Sequence, residues 1–209
     1  MEIISHRGLW LTDTEKNTAT AFEASFKNGF GTETDFRDYK GEVVISHDMA
    51  DESSIKASLF FEIYNSYEKK GTLALNIKSD GLHQPMLQLL KKYQIENYFM
   101  FDMSVPDTIG YLKNGMNFYS RQSEYEPNPA FYDDCKGIWL DAFKDIWYAE
   151  ELIKNHLNNN KSITFVSPDL HKRDYQDFWL FLRSTGTSQM ENTILCTDFP
   201  LEAKAFFTN

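Results

Sequence analysis

The chain repeats one local pattern from end to end: a run typical of a β-strand, followed by a segment whose apolar residues have helical spacing. Eight such runs lie at residues 2–5, 31–36, 72–77, 98–103, 117–121, 137–140, 162–167 and 193–197. A further extended segment, 42–46, follows the second run. Strand–helix alternation favours parallel strands joined by crossover helices. Eight such units can close into a barrel. We therefore predict an α/β fold, a compact (β/α)8 TIM barrel, formed by a single domain over residues 1–209.

An open, doubly wound sheet is the alternative architecture. Against it, neither a Gly-x-Gly-x-x-Gly motif nor a P-loop follows any of the strands. The first predicted helix begins after Asn17 and ends at Gly29, and another has Ser104 as its N-cap. The remaining helical stripes consist of Met86, Leu89, Leu90 and Tyr93; Ile146, Ala149, Leu152 and Ile153; Tyr175, Phe178, Trp179 and Leu182; and a last helix opened by Pro200.

Charge and composition limit the partners. The chain has 21 basic and 31 acidic residues, a net charge of −10, which disfavours nucleic acid and anionic lipid but leaves a small phosphate possible. We therefore predict a small-molecule substrate and no nucleic-acid partner. The sequence contains neither a leader pattern nor an apolar stretch of about 18 residues, so no transmembrane segment is predicted. The lone cysteines, Cys135 and Cys196, are typical of a reducing compartment, and we expect a cytoplasmic protein.

Two carboxylates in the second strand are candidates for a metal site. Glu33 and Asp35 are two positions apart, so a strand directs both side chains to the same side. Buried together they would repel each other, and a divalent cation would relieve that repulsion. Oxygen ligands favour Mg²⁺ or Ca²⁺ over zinc. The alternative is that Arg37, Lys78 or water satisfies the pair.

Two histidines follow neighbouring β-like segments and are candidates for general acid–base catalysis. His6 and His47 could act as general base and general acid in one reaction. The alternative is a structural role for each of them. Arg7 and Lys78 could neutralise a bound phosphate, although a solvated surface role is as common for such residues.

Several short motifs occur together near the start of the chain and again at its end. They are Ile4-Ser5-His6-Arg7-Gly8, Asn17-Thr18, Gly29, Glu33-Thr34-Asp35, Val43-Val44-Ile45-Ser46-His47-Asp48 and Thr197-Asp198-Phe199-Pro200. In order and spacing they resemble the glycerophosphodiester phosphodiesterase family, within the phosphatidylinositol-phospholipase-C-like phosphodiesterases. The chain is more distantly similar to spider-venom-type phospholipase D. The match is dense over residues 3–48, sparse through the middle and present again at 197–200.

This resemblance implies a metal-dependent phosphodiesterase on a (β/α)8 barrel, which cleaves a glycerophosphodiester or a related phosphodiester. By motif position, His6 and His47 are the acid–base pair, and Arg7 and Lys78 contact the phosphate. Glu33, Asp35 and Asn76 occupy the positions of the metal ligands. The nucleophile is either water or a neighbouring substrate hydroxyl.

Asn76 is the most consequential departure from the family pattern. It stands where the family has a third acidic ligand, so the site loses one negative charge and should hold a cation more weakly. Asp102, Glu124 and Asp141 follow later strands and are candidates to replace that charge. The alternative function is a non-catalytic or degenerate barrel that binds a phosphoryl ligand.

Two later segments carry polar residues whose use is open. Residues 121–126 could line a pocket for a polar substrate group, or form a solvated loop with an Arg–Glu pair. Ser167 ends the seventh run, a strand in which many relatives have a tryptophan, and His171 follows it. No Gly-x-Ser-x-Gly elbow accompanies them, which argues against a serine triad.

Overall fold

The computed structural model describes residues 1–208, with ten strands and seven α-helices among them. The strands are β1 Glu2–His6, β2 Gly31–Tyr39, β3 Glu42–Ile45, β4 Ile55–Lys56, β5 Leu73–Ile77, β6 Tyr98–Phe101, β7 Tyr119–Gln122, β8 Gly137–Leu140, β9 Ser162–Val166 and β10 Thr193–Thr197. The helices are α1 Ala19–Lys27, α2 Ala57–Asn65, α3 His83–Tyr93, α4 Val105–Lys113, α5 Glu150–Asn158, α6 Gln176–Ser184 and α7 Pro200–Thr208. Within these residues, every helix is too short or too polar to cross a membrane.

The chain forms two compact units. One unit comprises residues 5–118, and the other comprises residues 1–4 together with the chain from Tyr119 onward. Strand β1 is divided between them, since the boundary falls after Ile4. Single-domain organisation over residues 1–209 stays a prediction.

In the unit of residues 5–118, β2 is the central strand. Its first half pairs in parallel with β5, which pairs in parallel with β6, and Asp35 lies opposite Asn76. Its second half pairs with β3 as an antiparallel hairpin, and β4 adds to the outer edge of β3. The turn of the hairpin uses Lys40 and Gly41, both with positive φ, as a two-residue hairpin turn requires. One strand therefore carries both predicted acidic ligands and, through the hairpin, leads to His47.

In the other unit, β7, β8, β9 and β10 pair in parallel in chain order. The register places Gln122 opposite Leu140, and Leu140 opposite Phe165. The amide of Asp141 donates to the Gln122 carbonyl at 2.9 Å, so Asp141 directly continues the strand edge. Residues that follow these strands therefore lie at one edge of the sheet.

Helix α1 shows why the local sequence folds as it does. The Thr18 hydroxyl accepts from the Ala21 amide at 3.3 Å and caps the first turn, and Gly29 follows the helix with φ of 75°. Phe22 and Phe26 lie on its buried face, where they contact the Phe60 ring of α2 at centroid distances of 4.7 and 5.9 Å. Aromatic packing thus joins these two helices over the sheet.

The eight strand positions predicted from the pattern are confirmed, as is the extra segment before His47. Helix α2 was not anticipated from the sequence. Its apolar residues Phe60, Phe61, Ile63 and Tyr64 are buried. Helix α5 begins at Glu150, later than the stripe that starts at Ile146 suggests.

Candidate functional site

The chain turns sharply where β1 ends, and the turn places two predicted site residues. Arg7 and Gly8 have φ of 61° and 89°. The Arg7 amide donates to the Glu33 carbonyl at 2.9 Å, and the Gly8 amide donates to the Thr32 hydroxyl at 3.0 Å. A Cβ on Gly8 would lie 2.7 Å from backbone and side-chain atoms of Ala21, so glycine is required where α1 approaches. The turn thereby holds Arg7 beside the start of β2.

Glu33 is buried and lies between a histidine and an amide. Its Oε2 is 3.8 Å from His6 Nε2, and its Oε1 accepts from Asn76 Nδ2 at 3.2 Å. Burial raises the pKa of Glu33 to about 7, and the negative charge of Asp35 adds to that rise. The positive charges nearby reduce the shift without cancelling it.

Asp35 is fully buried, yet it is held in the charged form by its partners. Its Oδ2 is 3.0 Å from Arg7 Nε, and its Oδ1 is 3.4 Å from Lys78 Nζ. Burial acts to raise the pKa of Asp35, but Arg7, Lys78 and the hydrogen bond from Asn17 outweigh it, so the pKa is lowered. The two neighbouring acids therefore have pKa shifts of opposite sign.

Asn17 also belongs to this cluster, a position that its sequence motif does not predict. Its Nδ2 donates to Asp35 Oδ2 and its Oδ1 accepts from the Thr34 hydroxyl, both at 2.8 Å. Its backbone amide donates to the Arg7 carbonyl at 3.0 Å, and its φ is 60°. A strained backbone in a buried polar cluster is typical of functional sites. The available signal was the Asn-Thr motif before α1.

Lys78 follows β5 and lies between two carboxylates. Its Nζ is 3.4 Å from Asp35 and 4.0 Å from Asp102, and Asp102 has φ of 66°. Of the three acids considered as replacements for the missing charge, Asp102 is the one in this cluster. The carboxylate of Glu124 accepts from the amides of Phe143 and Lys144, which fixes a loop of the other unit.

His47 is placed by the hairpin that extends β2. The Ser46 amide donates to the Asp35 carbonyl at 3.0 Å, so His47 follows a residue bonded to the acidic strand. Its ring is 47% exposed, and its Nδ1 is 2.9 Å from Asp48 Oδ1. Arg37, considered above as a partner of the acids, instead donates to the His47 carbonyl at 3.1 and 3.2 Å.

The structure therefore joins most of the predicted site through direct contacts. His6, Arg7, Glu33, Asp35, Asn76 and Lys78 form one polar cluster in the unit of residues 5–118. His47 lies beside the same strand with a half-exposed ring. The chemical roles of all seven residues stay predictions.

The cluster can be tested for its fit to a cation. Within residues 1–208, no group of three or more His, Cys, Asp and Glu side chains could hold a metal ion. The candidate set here is two carboxylates and an amide. Each supplies one buried oxygen without a hydrogen-bond partner, namely Glu33 Oε2, Asp35 Oδ1 and Asn76 Oδ1. Carboxylate and amide oxygens are the ligands that a hard divalent cation prefers, and Lys78 Nζ, 3.4 Å from Asp35 Oδ1, is the charge that such a cation would meet there.

In the other unit, Arg121 pairs chiefly with Asp141, and not with a glutamate of residues 121–126 as the sequence suggests. Its Nη1 is 2.8 Å from Asp141 Oδ2, whereas its Nε is 3.7 Å from Glu126. Asp141 Oδ1 also accepts from the Ala142 amide at 2.8 Å and lies 2.7 Å from His171 Nε2. Both oxygens of Asp141 are thus occupied by protein groups.

Sequence comparison identifies no relatives: neither a protein-family model nor a curated protein matches this chain. Solved structures do match. One is a glycerophosphodiester phosphodiesterase from Agrobacterium tumefaciens, 13% identical, with a TM-score of 0.68 over 97% of this chain and 99% of that one. Another is an Oleispira antarctica phosphodiesterase in complex with its product sn-glycerol-3-phosphate, 13% identical, with a TM-score of 0.73 over 100% of this chain and 97% of that one.

A phosphoribosyl anthranilate isomerase from Thermus thermophilus also matches, with 10% identity and a TM-score of 0.53 over 100% of this chain and 97% of that one. Proteins with unrelated activities share this fold, so the similarity establishes the architecture of the chain. Its activity has to be inferred from the residues of the site. The predicted fold class, α/β of the (β/α)8 type, is confirmed: this chain has the fold of the two phosphodiesterases.

Proposed function

We propose that this chain is an enzyme, a phosphodiester hydrolase that acts on a glycerophosphodiester or a related small phosphodiester. The observation that carries the proposal is the buried cluster of residues 5–118. It combines three buried oxygens that accept no hydrogen bond with the positively charged side chains of Arg7 and Lys78 and with a histidine. The similarity in fold to two phosphodiesterases, one of them bound to sn-glycerol-3-phosphate, supports it.

The proposal includes a divalent cation, Mg²⁺ or Ca²⁺, held by Glu33, Asp35 and Asn76. When bound, such a cation would polarise a phosphoryl oxygen and orient the phosphodiester. Burial and the charge of Asp35 raise the pKa of Glu33, so a bound cation would displace a proton from this carboxyl, and cation binding should strengthen as the pH rises.

The side chains of the cluster would bind and activate the substrate. The Arg7 and Lys78 side chains, each 20% exposed, would neutralise phosphate oxygens. One of His6 and His47 would take a proton from water or a neighbouring substrate hydroxyl, and the other would protonate the leaving alcohol. A bell-shaped dependence of rate on pH is expected from such a pair.

The test is an assay of the purified chain with Mg²⁺ or Ca²⁺ on a panel of glycerophosphodiesters, followed by phosphorus NMR. The expected products are an alcohol and either a phosphomonoester or a cyclic phosphate. His6→Ala and His47→Ala should each lower kcat by about 100-fold or more. His83→Ala, a histidine outside the cluster, is the matched control and should retain activity. Activity that survives both substitutions would overturn the assigned roles.

A second candidate is a fold relative that binds a phosphoryl ligand without cleaving it. Asn76 in place of an acid favours it, as does the pairing of Asp35 with two cations of the protein itself. Calorimetric titration with Mg²⁺ and Ca²⁺, with and without sn-glycerol-3-phosphate, separates the two candidates. Phosphate binding without metal binding or turnover supports the second. The cytoplasmic location stays a prediction, which the two buried free cysteines support.

A further inference from the structure

The ammonium group of Lys78 lies between two carboxylates that come from the strands on either side of it. Lys78 follows β5, the strand that pairs in parallel with β2 on one side and with β6 on the other. Its Nζ is 3.4 Å from Oδ1 of Asp35, in β2, and 4.0 Å from Oδ2 of Asp102, which follows β6. The Lys78 amide donates to the Phe36 carbonyl at 2.9 Å. The backbone is therefore fixed at a point from which the side chain reaches both acids.

The two oxygens of Asp35 have different partners. Oδ2 lies 3.0 Å from Arg7 Nε and accepts from Asn17 Nδ2 at 2.8 Å. Oδ1 is buried and accepts no hydrogen bond, and the Lys78 ammonium lies 3.4 Å from it. Oδ1 is therefore the oxygen of Asp35 that remains for a divalent cation, and it is also the oxygen that faces Lys78.

A divalent cation and the Lys78 ammonium would compete for this oxygen. A hard cation binds carboxylate oxygens at roughly 2.0–2.6 Å, so it would lie close to an ammonium 3.4 Å from the same atom. The repulsion between a double and a single positive charge is about twice the attraction of that ammonium for one carboxylate at equal distance. Cation binding therefore requires the Lys78 side chain to move away from Asp35.

Asp102 is placed to receive the displaced ammonium. Its side chain is 13% exposed and already lies 4.0 Å from Lys78 Nζ, so rotation within the lysine side chain is enough to bring the two charges together. Asp102 has φ of 66°, a left-handed conformation that costs free energy in a residue other than glycine. Strained backbone of this kind concentrates at functional sites. The second position of the ammonium is therefore already present in the fold.

We propose that Asp102 is a positioning residue for the cation site, which takes the Lys78 ammonium when a divalent cation binds at Asp35. Lys78 then sets the cation affinity, because every cation that enters has to displace it. Asp102 reduces the free energy that this displacement costs. The inference rests on the cation of the proposed function, and it gives a role to a carboxylate that is neither a ligand nor a substrate contact in that function.

The test is calorimetric titration of the full chain with CaCl2 and MgCl2, at a pH above the Glu33 pKa of about 7, where that ligand is ionised. Lys78→Met removes the competing charge and should raise cation affinity by about tenfold or more. Asp102→Asn removes the second partner and should lower affinity by about tenfold. Lys154→Met and Glu150→Gln make the same charge changes at an ion pair of α5, and these controls should stay within about twofold of the wild type.

The double variant Lys78→Met/Asp102→Asn separates positioning from direct ligation. If Asp102 acts through Lys78, its substitution should have little effect on cation affinity once the lysine is absent, whereas the effect of a direct ligand would persist. A crystal structure of the wild type grown with CaCl2 provides a second measurement that needs no variant. It should show Lys78 Nζ within hydrogen-bonding distance of Asp102 and farther from Asp35 than 3.4 Å.

Four outcomes would overturn the proposal and leave the proposed function intact: unchanged cation affinity in folded Lys78→Met, unchanged affinity in folded Asp102→Asn, an equal effect of Asp102→Asn with and without the lysine, or a Ca²⁺-bound crystal structure with Lys78 still at Asp35. If a variant does not fold, the crystal structure of the wild type decides the question. A chain that shows all the expected shifts in affinity but cleaves no phosphodiester would refute the proposed function alone.

Discussion

Asn76 shows how much one side chain can alter a charged cluster. Its amide both donates to Glu33 Oε1 and presents an oxygen of its own without a donor. A carboxylate in this position could not donate, and it would add a third buried negative charge beside Glu33 and Asp35. Without a bound cation, the amide therefore reduces the repulsion among the side chains of the cluster. It also attracts a cation less strongly than a third carboxylate would.

Asn76→Asp is expected to lower the free energy of unfolding in EDTA by about 1–3 kcal/mol, because it buries an additional carboxylate beside two others. In Mg²⁺ or Ca²⁺ the variant should regain more stability than the wild type does. Chemical denaturation with and without each cation measures both effects. Asn128→Asp, an exposed loop position, is the control, and a wild-type-like metal response in Asn76→Asp would contradict the ligand assignment.

Tyr148 tests the cost of a buried hydroxyl. Its side chain is buried, its hydroxyl has no hydrogen-bond partner, and burial raises its pKa. Tyr148→Phe should therefore leave the free energy of unfolding unchanged or raise it by about 1 kcal/mol. Tyr132→Phe is the contrasting variant, since that hydroxyl bonds to His156 Nδ1 at 2.9 Å, and it should lose about 1 kcal/mol. Urea denaturation compares them, and a substantial loss at Tyr148 would indicate a bound water there.

At the scale of elements, the turn after β1 and the first helix are one packed assembly. The hydroxyls of Ser5, Ser25 and Thr32 form a buried hydrogen-bonded group, with Ser5 bonded to both of the others at 2.8 Å. The Leu9 amide donates to the Ala21 carbonyl at 2.9 Å. The position of His6 and Arg7 therefore depends on the close approach of α1.

Gly8→Ala is expected to disrupt this assembly. The substitution places an L-residue at φ of 89° and a Cβ 2.7 Å from Ala21, so both strain and overlap oppose it. Gly41→Ala is a matched control, because its φ of 83° is similar and nothing lies within 4 Å of the added Cβ. We expect a loss of about 1 kcal/mol for Gly41→Ala and at least twice that for Gly8→Ala by thermal denaturation. Equal losses would show that the helix can move aside.

Helix α5 carries a buried histidine that should make stability depend on pH. Its Nδ1 accepts from Tyr132, its Nε2 donates to Gln122 Oε1 at 2.8 Å, and burial lowers the pKa of His156. The His156 ring therefore takes up a proton more readily in the unfolded chain than in the folded chain. Stability should fall as pH drops below about 6.5, by up to ~1.4 kcal/mol per pH unit, and be fully present above it.

The measurement is urea denaturation of wild type and His156→Gln between pH 5 and 8 (roughly the range in which a histidine titrates). The variant should lose less stability than the wild type as the pH falls, whatever its stability at neutral pH. Parallel curves for the two proteins would assign the pH dependence to other groups.

For the whole molecule, the sequence predicts architecture better than it predicts contacts. Eight strands could be placed because apolar, β-branched runs alternate with helical stripes along the entire chain. Helix α2 is not predicted from the sequence, because its apolar residues form a nearly continuous segment with little helical periodicity. Four of its nine residues are Phe60, Phe61, Ile63 and Tyr64. The pairing of Arg121 with Asp141 could not be foreseen, because it joins two strands whose register only the sheet determines.

The same contrast holds for the candidate site: its residues could be predicted from the sequence, but their contacts could not. Motif order indicated six residues that the structure brings into contact, whereas Asn17 belongs to a motif of the same resemblance to which no role in the site was assigned. The hydrogen bonds that distinguish Glu33 from Asp35 depend on side-chain packing. The opposite pKa shifts of these two acids therefore have no counterpart in the sequence pattern.

The net charge of −10 supports a prediction about partners. At ~150 mM salt, fluorescence anisotropy should detect no binding of the chain to a labelled DNA duplex, because the protein as a whole repels a polyanion. Under the proposed function, the same protein should bind sn-glycerol-3-phosphate, because the charge of so small an anion acts only at the cluster. Salt-dependent association with DNA would contradict this expectation.

The continuous β2 strand has a consequence for protein engineering. It carries Glu33 and Asp35 in its first half and leads through the Lys40–Gly41 turn and β3 towards His47. An added Cβ at Gly41 meets no atom within 4 Å, so the turn projects into open space. A fluorophore or a short epitope grafted at Gly41 would therefore be tethered, by a few residues of rigid hairpin, to the strand that bears the carboxylates. A probe at that position could report ligand binding at the cluster while every residue of the cluster stays unchanged.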